Sequence, residues 1–160
     1  MLRTLKVFLV LLVALWAALS AEANLADWKS TTDAVASVTS MSGFSGGPSR
    51  WRATSDAAVV VGGALFILLS KAAAGVFCFL GAMKMRAALA DGSQEFQRAK
   101  KFAIAGCVIA EILMFGGFVV IAEGWYEMWR SAEMVAAVGG AAFRYSVAVM
   151  MIAMFVSLPD

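Results

Sequence analysis

The chain has 160 residues, of which 62% are hydrophobic and 15% charged, with a net charge of +2. A soluble domain is about 45–50% apolar and about 25% charged, so this composition points to a bilayer as solvent. The absence of histidine excludes a His-ligated haem, a His-based zinc site and a histidine triad. The two cysteines are too few for a disulfide scaffold, and no basic block suggests a nucleic-acid partner.

Spanning a hydrocarbon core takes about 20 apolar residues in a helix. The first such segment covers residues 5–26. Arg3 and Lys6 precede its apolar run, and small residues around Ala18 and Ala23 also fit a cleavable signal peptide. A retained helix is the expectation, because four spans bury their faces better than three. Residues 27–56 are polar by comparison. Ala34, Val35, Val38 and Met41 fall at helical spacing, which predicts a short interfacial helix over residues 30–41 with a serine or threonine cap. A glycine-rich connector at 43–49 leads to Trp51 and Arg52. That pair suits the membrane–water boundary, where an amphipathic ring and a guanidinium meet headgroups.

The second span is expected at 57–85 and the third at 100–122. Between them Asp91, Gly92 and Ser93 signal a turn that can cap a short helix leading into Arg98. Trp125 and Trp129 read as interfacial anchors beyond the third span. Gly139 and Gly140 are expected to loosen the chain before a fourth span at 141–158, which Pro159 and Asp160 stop. The prediction is therefore all-α: a single integral membrane domain, a four-transmembrane-helix bundle with a short interfacial helix in the first outer loop. Arg3, Lys6, Lys84, Arg86, Arg98, Lys100 and Lys101 would share one side. The positive-inside bias then places both termini in the cytoplasm of a multi-pass protein of the bacterial inner membrane.

Several pieces of the chain fall in a familiar order. Among them are Asn24 and Asp27, Ser40 with Met41, and the run from Trp51 to Ala53. Further along come Arg98 to Lys100, Gly117 with Phe118, the stretch from Trp125 to Trp129, Ala142 to Arg144, and the closing Pro159 with Asp160. In this pattern the chain resembles the small integral membrane proteins grouped as domain of unknown function 2165, found in proteobacteria. The resemblance covers nearly the whole chain. It implies four helices in the inner membrane and no known activity. It also implies departures here, since an acidic residue is common where Lys71 stands and apolar residues where Glu111 stands.

Few side chains could carry chemistry. Lys71 lies about 20 Å along its helix from Lys84, and Glu111 about 15 Å from Lys101, at 1.5 Å per residue. In an antiparallel hairpin they fall at similar depth, and a charge inside a membrane seeks a partner. An intramembrane Lys71–Glu111 ion pair holding the register is the first reading, and a proton or ion relay the second. Glu22, Glu123 and Arg144 are expected to form an outer-face charge cluster that anchors helices. Cys78 and Cys107 fall at matching depth and read as buried packing residues. No cofactor, metal or catalytic site is expected. The functional expectation is a non-enzymatic accessory or structural subunit of a membrane complex, in contact with lipids and other membrane-protein subunits. The alternative is a small transporter or proton-coupled permeability protein using Lys71 and Glu111. A membrane enzyme working through Glu123, Glu127 and Arg144 is a poorer third.

Overall fold

The computed structural model describes residues 1–159; Asp160, part of the expected stop, lies outside the described residues. Among the described residues the chain is mostly helical and contains no strand. Four stretches are long and apolar enough to cross a membrane: Leu2–Ala26, Ala57–Ala90, Ser93–Trp125 and Gly140–Ser157. The elements that build them are α1 (Leu2–Ala26), α3 (Ala57–Ala87), α4 (Ser93–Ala99), α5 (Lys101–Glu111) and α7 (Gly140–Ser157). The third stretch continues beyond α5 as a wider π-helical segment, Ile112–Trp125. Short helices α2 (Trp28–Thr39) and α6 (Ala132–Met134) lie in the connections.

α3 packs against α1 on one side and α5 on the other, and α7 closes against α5, the π segment and α1. Apolar side chains gain nothing by leaving lipid for one another, so these contacts rest on close van der Waals fit. Small residues supply it. A Cβ on Gly81 would stand 2.2 Å from the Ala103 nitrogen, and one on Gly106 would stand 2.6 Å from the Cys78 nitrogen. These two contacts set an antiparallel register in which the α3 and α5 backbones nearly touch. The largest core cluster lies in the same half of the molecule and includes Val10, Ala17, Ala74, Cys78, Met85, Ala103 and Cys107. A smaller cluster of Leu113, Met114 and Ala142 sits further along, toward the end that holds the long connections. That end is the loop end, and the opposite one the terminal end.

Two local expectations change. The interfacial helix forms, but its cap is Asp27, whose Oδ1 accepts from the Ser30 N–H at 3.0 Å, so it starts at Trp28. The helix after the Asp91 turn forms where expected, with Gly92 at its N-cap. Gly139 and Gly140 do not loosen the chain; both have right-handed helical backbone, and Val135–Gly139 runs directly into α7. Gly139 serves instead as a space-maker. The Glu123 Oε1 lies 2.5 Å from where its Cβ would be.

Candidate functional site

Toward the loop end α3 and the π segment separate, and a cavity of about 510 Å³ opens between them. α2 covers it, seated against α3 because Gly63 has no side chain: a Cβ there would stand 2.9 Å from Val35 Cγ1. The lining is almost wholly apolar, with Val35, Phe66, Leu113, Phe118 and Met128 among its walls. Its polar groups are few, and one carries a charge: Lys71 lines the cavity together with Asn24, Thr31, Thr39 and Tyr126. The Lys71 ammonium donates to Asn24 Oδ1. The Asn24 amide in turn donates to Thr31 Oγ1 at 2.9 Å, and that hydroxyl reaches back to the Asp27 carbonyl at 3.1 Å. The bend between α1 and α2 and the lysine inside the span therefore belong to one hydrogen-bonded chain.

Glu111 lies elsewhere. Its Oε2 accepts from Ser146 Oγ of α7 at 2.7 Å, while Oε1 is buried without a protein donor. Lys71 and Glu111 thus form no ion pair with each other. Depth matches, but azimuth does not. Ala103, Gly106 and Ala110 form the stripe of α5 turned to α3, and Glu111 is one residue on, about 100° around the helix. Lys71 lies one turn before Gly75, on the face of α3 that meets α1. One charge faces α1 and the other α7.

Nor do Glu22, Glu123 and Arg144 form an ion-paired cluster. Glu22 and Arg144 are exposed, and the Glu123 carboxylate lies against Gly139. The buried residues of α7 include Ala142 and Ser146. Arg144 is two residues from each, so it projects from the opposite side of the helix. Of the expected interfacial anchors, three come together. Trp51 meets Trp125 edge-on with ring centroids 5.4 Å apart, and the Arg52 guanidinium lies 5.7 Å from the Trp125 ring centre. Trp129 stays apart, 64% exposed.

The hub of this corner is Glu127. Its carboxylate accepts from Arg52 and from Arg130 Nη1, the latter at 3.0 Å, and Arg50 is within 3.6 Å. Its backbone is left-handed, with φ 52°. The Arg130 hydrogen bond holds the Glu127 carboxyl below its ordinary value; burial opposes this, and the charges of Arg50, Arg52 and Arg130 reinforce it.

A second feature lies at the terminal end. Lys6 and Lys100, the expected cytoplasmic charges, are wholly buried. Both donate to the Leu158 carbonyl, at 2.6 and 2.9 Å, where α7 ends. Cations suit a helix C-terminus, where the last carbonyls lack intrahelical partners. The only signal in the sequence was the proline after Leu158, which fixes where those carbonyls are left open. Asn24 and Ser146 were equally unforeseen as partners, because small polar residues in apolar helices give no indication of which neighbour they face. Cys78 and Cys107 are both buried free thiols, as their matching depth suggested.

Over residues 2–159 the chain belongs to the family described as predicted small integral membrane protein (DUF2165). No curated protein and no solved structure matches it.

Proposed function

We propose, from its place in that family of integral membrane proteins, that this chain is a non-enzymatic accessory protein of the bacterial cell membrane that holds a lipophilic molecule in the loop-end cavity. The observation that carries the reading is the cavity itself. At about 510 Å³ it falls within the roughly 300–1,000 Å³ range of small-molecule sites. It also has the usual make-up of such sites, apolar walls with a few placed polar groups. Val59, Phe66 and Ile121 line it and are themselves exposed, so the cavity opens on one side and a lipophile can enter it from the bilayer. Both termini face the cytoplasm, by the excess of Lys and Arg at the terminal end, and other membrane-protein subunits are the partners.

The transport reading has less support. A relay needs ionisable groups in sequence, and Lys71 and Glu111 bond to different helices. Glu111 is not part of the cavity wall.

The test is native mass spectrometry of the full chain, released from mild detergent. The expected result is a bound lipophile that disappears in a Gly62→Leu variant. Gly62 lines the cavity and a Cβ there meets nothing within 4 Å, so a leucine begins in free space and its side chain takes up cavity volume. Identical ligand-free spectra for both proteins would overturn the binding reading. Recovery as a lone monomer after crosslinking in membranes would overturn the accessory role.

A further inference from the structure

The cavity has a chemical polarity that narrows what it takes. Its one charged wall group is Lys71, an ammonium that donates to a neutral amide oxygen, Asn24 Oδ1. The wall around it is aliphatic and aromatic. From Lys71 the space runs along α3 as far as Val59, about 18 Å at 1.5 Å per residue. One run of this length with a single charged group at its end suits one unbranched chain with its head on Lys71.

We infer that the cavity takes a single-chain amphiphilic carboxylic acid, with the carboxylate on Lys71 and the chain running past Phe66 and Val35 toward Tyr126. This inference rests on the cavity reading above and adds the ligand's class to it. A carboxylate fits the donor set better than a phosphate does. One ammonium supplies one unit of charge at one point, whereas a phosphate dianion favours several donors or a bidentate guanidinium. The arginines that could meet a phosphate are gathered on Glu127, and none of Arg50, Arg52 or Arg130 lines the cavity. The exchange is balanced for charge: a monoanion replaces the neutral Asn24 oxygen as the partner of a cation, so the ligand removes an uncompensated charge from the span.

The test uses the full chain in nanodiscs at pH 7.5, with empty nanodiscs as the blank. Radiolabelled palmitate and hexadecan-1-ol, which share a 16-carbon chain and differ in the head, are titrated onto wild type, Lys71→Met and Gly62→Leu. Wild type is expected to bind palmitate at least about tenfold more tightly than the alcohol, the scale of one charge-assisted hydrogen bond. Lys71→Met is expected to erase that preference while still binding the alcohol, and Gly62→Leu to lose both ligands. Equal binding of acid and alcohol by wild type would sink the carboxylate inference and leave the cavity reading standing. No saturable binding of either would sink both. Palmitate binding unchanged in Gly62→Leu would place the acid outside the cavity and overturn the inference. The wild-type comparison needs no variant, so the inference is testable even if Lys71→Met does not fold.

Discussion

Gly81→Ala is the sharpest test of how the spans are held. The added Cβ would stand 2.2 Å from the Ala103 nitrogen and 2.6 Å from its Cα. Both are backbone atoms, which cannot rotate aside. Ordinary separations are about 3.5–4.0 Å, so α3 and α5 must part by about 1 Å or more. A gap of that order forfeits a quarter to a half of each dispersion contact along the seam, including the close approach of Gly106 to Cys78. Overpacking of this kind costs about 1–3 kcal/mol. The better helix propensity of alanine offsets only about 0.5–1 kcal/mol of it. Gly62→Ala and Gly116→Ala are the controls, because a Cβ at either position meets nothing within 4 Å. There the propensity gain stands alone, and each variant should be as stable as wild type or slightly more so. Thermal unfolding in detergent reads the stability, and maleimide labelling of Cys78 and Cys107, both buried in wild type, reads the seam. A Gly81→Ala protein that unfolds no lower than wild type, with its thiols still protected, would refute the argument.

Three further expectations follow from the polar contacts. Lys100→Met removes a buried donor from the Leu158 carbonyl; a loss of about 1–3 kcal/mol is expected, with faster proteolysis of the C-terminal segment as the readout. Ser146→Ala takes away the donor to Glu111 Oε2 while Oε1 already has none. It should cost about 1–3 kcal/mol, and adding Glu111→Leu should recover stability; a double variant no better than Ser146→Ala would show the contact to be unimportant. The Glu127 carboxyl is held below its ordinary value. Its contribution is therefore complete above the unfolded carboxylate value of about 4.3 and is lost as pH falls through the lower folded value. Tryptophan fluorescence from the Trp51–Trp125 corner should stay constant from pH 7 to about 5 and change only in stronger acid; Glu127→Gln should show the acid-state signal throughout, and a transition above pH 5 would contradict the assignment.

The spans were legible in the sequence because length and apolar content decide them. The second was expected to start at residue 57, and α3 starts at Ala57. The short helix before it was legible too, from the spacing of Val35 and Val38. What could not be read was direction around a helix axis. Lys71 and Glu111 were matched by counting residues from the basic turn, which measures depth along the axis alone. Their pairing also needed the angle, and the angle is set by Gly75, Gly81 and Gly106, the contacts that fix which face of α3 meets α1 and which meets α5. The same gap concealed Arg144, which lies on the exposed side of α7, opposite Ala142 and Ser146. Burial of Lys6 and Lys100 went unseen for another reason: the charge pattern marks the end of a span at which a lysine lies, and not whether another helix ends beside it.

One hairpin thus carries two different packing regimes, and the sequence of each half accounts for both. In the terminal half the facing residues are Ala74, Cys78, Gly81, Ala103, Gly106 and Cys107, small enough for backbone contact, and the core is closed. In the loop half the facing residues grow to Phe66, Ile67, Leu113 and Phe118, and the helix carrying the last two widens into π geometry. Large side chains hold the two backbones apart: the Phe66 ring seats on Gly117, 3.2 Å from where its Cβ would be, while Gly62 faces open space within 4 Å. Such π segments are concentrated at functional sites. A protein that needed only to hold its spans together could have continued the small-residue seam to the loop end. The change of regime at Lys71 is therefore the physical ground for placing the ligand there: the tight half fixes the register, and that fixed register keeps the wider half open.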